Sequence, residues 1–138
     1  MHFDSEEQID DLWAAFTSAT LPKSAWTHQA HIAIAGILVR RDPVTALSQA
    51  RAGILHLNKC HGTVNSAMSG YHETLTVFWI RIVTSFCAER SRLTRLAVVN
   101  AMMAQLPRDL FRKYYSFDVV QSRDARRRWI EPDVKALP

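Results

Sequence analysis

Thr27-His28-Gln29-Ala30-His31-Ile32-Ala33-Ile34-Ala35-Gly36-Ile37-Leu38-Val39-Arg40-Arg41 is the stretch whose reading decides the fold. Thr27 is a good N-cap, so a helix should open there and run to Arg41. From Ala30 to Val39 every residue is apolar except His31. A helix that is apolar on all sides is buried among other helices. Asp42-Pro43 stops it and begins the next one, with Asp42 as cap and Pro43 at the first helical position.

Amphipathic segments flank this central helix. Ser5 to about Ala19 has a capping-box pattern, Ser5 with Gln8, and an apolar stripe of Ile9, Leu12, Trp13 and Phe16. Pro43 to about Lys59 carries Leu47, Ala50, Ile54 and Leu57 in line. Tyr71 to about Glu89 carries Leu75, Trp79, Ile82 and Phe86, with His72 on the same stripe. Ser91 to Leu106 repeats the pattern with Leu93, Leu96, Asn100 and Met103. A short helix follows Pro107 and another spans Ser122 to Ile130. The tail from Glu131 to Pro138 reads as extended. No period-2 stretch is bounded by turn residues, so no strand is expected. The expectation is an all-α, single-domain irregular bundle over residues 1–138, with about five main helices plus short C-terminal ones.

The bulk numbers agree. A length of 138 residues fits one domain with its own core. Hydrophobic residues at 48% and charged residues at 22% describe a soluble globular chain. The longest apolar run, Ile32 to Val39, is too short to cross a bilayer, so no membrane partner is expected. An acidic opening without an apolar leader, and only Cys60 and Cys87, point to reduced thiols in a cytoplasm. The net charge of +4 is uneven: residues 1–80 sum to −2 and residues 81–138 to +6. The dense run Arg126-Arg127-Arg128 lacks interleaved aromatics, which disfavours nucleic acid as a partner.

Chemistry is concentrated in two short motifs at predicted helix starts. His28 and His31 are three apart, which puts their Cβ atoms about 5–6 Å apart on one face. His72 opens a second long helix, and Glu73 follows it. Should the two helices meet at their N-terminal ends, His28, His31 and His72 would form a three-imidazole metal site. Glu73 would then be a fourth ligand, a general base or a hydrogen-bond partner to a ligand. Such donors would take a divalent transition metal (Fe, Zn, Mn, Ni or Cu), without choosing among them. His72-Glu73-Thr74-Leu75-Thr76 begins like the zinc-protease pattern H-E-x-x-H, but Thr76 stands where the second histidine belongs. The bland alternative for any single histidine is a half-buried residue bonded to a backbone group. His56, Cys60 and His61 form a second group, better read as a helix end with a stray thiol. Trp13, Trp26, Trp79 and Phe78 read as core, while Tyr114, Tyr115 and Arg81 could line a pocket.

These motifs resemble a widespread family of small bacterial proteins of unknown function. It carries a T-H-x-x-H opening, here Thr27 to His31, and Y-H-E-T-[LI]-T about forty residues later, here Tyr71 to Thr76. It also carries Y-Y-S (Tyr114-Tyr115-Ser116), A-R-x-x-W (Ala125 to Trp129) and a closing P-D-x-x-x-L (Pro132-Asp133 with Leu137). The resemblance covers about residues 24–138. It implies that His28, His31, His72 and Glu73 belong to one recurring set, and it adds Tyr71, Tyr114, Tyr115, Arg126 and Trp129. It supplies no reaction.

Three functions follow as expectations. The first is a small metal-dependent enzyme, hydrolase or oxidoreductase, acting on a small molecule, with Glu73 and Tyr71 as catalytic groups. The second is metal-free small-molecule binding or acid/base chemistry on the same residues. The third is a non-catalytic helical interaction module, as a homodimer or with another partner, in which those residues fix the packing.

Overall fold

The computed structural model describes all residues 1–138, and it is all-helical. The helices are α1 (Glu6–Thr17), α2 (His28–Arg41), α3 (Ala46–Cys60), α4 (Glu73–Ala88), α5 (Arg95–Gln105), α6 (Phe117–Val120) and α7 (Arg123–Arg127). Short 3-10 turns lie at Lys23–Ala25 and Leu110–Lys113. No helix is long and apolar enough to cross a membrane.

The apolar run places α2 at the centre. Ile32 through Val39 are all buried, and α2 packs on α1, α3, α4 and α5. Gly36 faces α5, where the flexible end of the Met102 side chain would have to shift to admit a Cβ. Gly53 likewise leaves room for the Phe16 ring of α1. Filling the Gly53 space against the rigid ring would overpack a core of organic-crystal density.

Most helix starts follow from their caps. Thr27 accepts from the Ala30 N–H at 3.2 Å, Ser5 from Gln8, and Thr94 from Ala97. Gln8 reaches back to the Asp4 N–H at 2.7 Å, one residue before the expected capping-box partner. Three starts differ from expectation. Asp42 accepts from the Val44 N–H and the Thr45 hydroxyl, closing a turn over 43–45 that delays α3 to Ala46. In α5, Thr94 takes the cap in place of Ser91. The third is His72, which lies before α4 rather than in it and is its N-cap. The C-terminal region is also more broken than expected: α6 forms after Ser116, and α7 ends at Arg127.

The face α4 buries is rotated from the expected stripe. Thr74, Val77, Phe78, Ile82, Val83 and Phe86 are buried, while Leu75 and Trp79 are half-buried. The C-terminal segment wraps over this face. Phe78 meets the Tyr114 and Tyr115 rings at centroid distances of 5.5 and 6.1 Å. Tyr115 is buried and donates to the Ile130 carbonyl at 2.6 Å.

Candidate functional site

The two histidine motifs sit at different levels of the bundle. Helices α2 and α4 pack together and run alongside each other in the same direction. The His28 ring lies 5.0 Å from the Trp79 ring, and Arg40 near the end of α2 bears on Cys87 near the end of α4. His72 precedes Trp79 by seven residues, about 10 Å of axial rise. The start of α4 therefore overhangs the start of α2. In this arrangement no three His, Cys, Asp or Glu residues are grouped to hold a metal ion.

At the α4 start every motif residue has a structural partner. The His72 Nδ1 accepts the Leu75 N–H at 3.1 Å, capping the helix, while Nε2 lies 2.8 Å from the Val120 carbonyl. An accepting Nδ1 and an acceptor opposite Nε2 define the neutral imidazole with its proton on Nε2. Both nitrogens are thereby engaged by the backbone. Burial pushes the imidazole's pKa down; the Val120 carbonyl opposes this, and the Arg126 guanidinium adds to the fall.

Glu73 points toward α3. Arg51 grips it with Nε at 2.9 Å from Oε1 and Nη2 at 2.9 Å from Oε2, and the Tyr71 hydroxyl donates to Oε1 at 2.7 Å. Partial burial works against the charged carboxylate, but Arg51 and Tyr71 outweigh it and hold the carboxyl below its usual range. The same surroundings, burial first and then Glu73, push the Tyr71 phenol up to about 12. Near neutral pH, then, Glu73 stays ionised and Tyr71 stays protonated. Neither titrates where a general acid or base works best.

Thr74, the first threonine of the Y-H-E-T motif, completes the arrangement, though its partners are backbone atoms that no residue type reveals. Its side chain is fully buried; the hydroxyl donates to the Arg128 carbonyl at 2.7 Å and accepts the Ile130 N–H at 3.1 Å. Arg126 donates to the Gly70 carbonyl at 2.8 Å, just before the motif. Arg81 lies over the Trp129 ring at 4.7 Å. Residues 70–74 thus form a clasp that binds the C-terminal segment at Val120, Arg126, Arg128 and Ile130. Arg51, 22 residues before Glu73, was not foreseen, because no local spacing signals a partner on another helix.

The α2 start is different. The His28 Nε2 lies 3.0 Å from the Leu106 carbonyl, which ties α2 to the end of α5. His31, expected on a buried face, is exposed. The Trp26 ring lies against His31, edge-on at a centroid distance of 4.0 Å, while the adjoining Ala30 and Ile32 are fully buried. Crowding by the protein, then the neighbouring His28 and Arg108, push the His31 imidazole toward its neutral form. Its exposure to solvent keeps that effect smaller than full burial would give.

Elsewhere, His61 bonds to the Leu21 carbonyl at 2.7 Å, while His56 and Cys60 are exposed. No buried side-chain nitrogen or oxygen lacks a partner, so no orphaned polar atom marks a ligand position. No family model, no curated protein and no solved structure matches this chain.

Proposed function

We propose that the chain is a non-catalytic helical interaction module, in which Tyr71, His72, Glu73 and Thr74 lock the C-terminal segment onto α4. One observation carries this reading: both ring nitrogens of His72 are committed to the backbone, one as cap and one as cross-tie. A residue so engaged is expensive to recruit, because a ligand must replace two hydrogen bonds, each worth about 1 kcal/mol. The basic C-terminal half, held in place by the clasp, is the partner surface.

The metal-dependent enzyme anticipated from the motifs requires His72 to leave Leu75 and Val120 and to cross the stagger toward His28. Elemental analysis of untagged protein separates the two. The lock predicts no stoichiometric metal and a lower Tm for His72→Ala. One metal per chain, lost in His72→Ala, would overturn it.

A second reading has one observation in its favour. His31 is exposed and favours the neutral form, the state that accepts a proton or attacks a carbonyl. As an acid/base residue it would accelerate p-nitrophenyl acetate hydrolysis beyond free imidazole, and His31→Ala would abolish the excess. Equal rates for the two proteins would remove this reading.

A further inference from the structure

The C-terminal segment that the clasp holds down carries a groove of about 540 Å³ on its outer side. This is within the size range of small-molecule sites, roughly 300–1,000 Å³. Its walls come from three pieces of chain: Phe111 and Arg112 of the 3-10 turn, Tyr115, Ser116, Phe117, Val120 and Gln121 around α6, and Val134 of the tail. Phe117 and Val134 are 69% and 60% exposed, so two large apolar side chains stand uncovered at one place. Scattered exposed apolar residues need no explanation, but a pair lining one concavity does.

Charge narrows the choice of occupant. Arg112 is the only charged residue lining the groove, and its guanidinium takes part in none of the protein's ion pairs. Asp133, the acid adjoining Val134, is already accepting the Ser116 N–H at 2.9 Å. An apolar trough with one free guanidinium at its lip complements an amphiphile with an apolar body and a single carboxylate.

We infer that this groove is a binding site for a small amphiphilic carboxylate, its apolar chain against Phe111, Phe117, Val120 and Val134 and its carboxylate on Arg112. No histidine lines the groove, and the assignment stands whether or not the lock reading holds. Its rigidity comes from beneath: the Val120 carbonyl is held by His72 and the Tyr115 hydroxyl by Ile130.

Titration with octanoate, with octanol and octylamine as controls, tests the assignment by NMR on the whole chain. Octanoate should give saturable shifts centred on Phe117, Val120 and Val134, and bind more tightly than either control. Arg112→Gln alters an exposed side chain and should leave the fold intact. It should weaken octanoate roughly ten-fold while leaving octanol unchanged. Phe117→Ala should weaken both. No saturable binding, equal binding of octylamine, or indifference to Arg112→Gln would overturn the inference. So would a dimer that Phe117→Asp dissociates without ligand, since the groove would then belong to a second copy.

Discussion

The starts of α2 and α4 look alike in sequence and behave oppositely in the structure. Each is a polar cap region with histidine, running into an apolar helix. At α4 the polar atoms are turned inward onto other segments: His72 to Val120, Glu73 to Arg51 and Thr74 to Arg128 and Ile130. At α2 His28 is tied to Leu106 and Gln29 accepts from the exposed N-terminal amine, while His31 faces out. What separates them is what lies beyond the helix end. The C-terminal segment crosses over the start of α4, so its polar groups find backbone partners; the start of α2 meets the Trp26 and Trp79 rings, the end of α5 and the N-terminal amine. Histidine at a helix start therefore reports a role only through what crosses it.

Substitutions should divide along the same line. The largest effect is expected for Thr74→Val. The swap keeps the shape but leaves the Ile130 N–H and the Arg128 carbonyl without their buried partner, at about 3 kcal/mol. Denaturant unfolding should show the loss, with early proteolysis of the C-terminal segment. A cost below about 0.5 kcal/mol, the level of an ordinary surface change, would break the contrast between the two ends.

His72→Ala comes next. It removes a cap and a cross-tie, together about 2 kcal/mol, or a fall in Tm of roughly 5–10 °C. Asparagine can accept from the Leu75 N–H but lacks the reach to Val120, so His72→Asn should recover about half. Acid should act on the same residue. Burial lowers the folded imidazole's pKa, so the unfolded chain takes up the proton first. The stabilisation is then whole above about pH 6.5 and is lost as pH falls below it. In His72→Ala the slope of stability against pH below about 6.5 should flatten. His31, also shifted downward, contributes with the same sign, and its share should persist in that variant.

Glu73→Gln should cost less, about 1–2 kcal/mol, since it keeps the shape but weakens charge-assisted bonds from a half-exposed Arg51. His31→Ala should change Tm least, within the roughly 0.5 kcal/mol typical of surface sites. A larger loss there than at His72 would reverse the comparison.

How far the sequence carried this far depends on the range of the interaction. The caps at Ser5, Thr27 and Thr94 involve neighbours three residues on, so periodicity and residue type expose them. The continuous apolar run fixed α2 at the centre, yet that same evenness hid the outward side on which His31 lies. Tyr71, His72 and Glu73 stood out as a set because their types are costly to place at random. Their meaning depended on Arg51 and Val120, 22 and 48 residues away, and on a stagger between α2 and α4 that no local pattern encodes. Thr74, the most buried member, lies inside the Y-H-E-T motif, but its role carried no signal because its partners are backbone atoms.

The most direct test is the nitrogen NMR spectrum of the His72 imidazole at neutral pH, recorded before and after addition of zinc. The account predicts a single neutral tautomer with the proton on Nε2, an Nδ1 that acts as acceptor, and shifts that zinc leaves unchanged. A ring protonated at both nitrogens, or one whose Nδ1 or Nε2 moves on zinc addition, would contradict it.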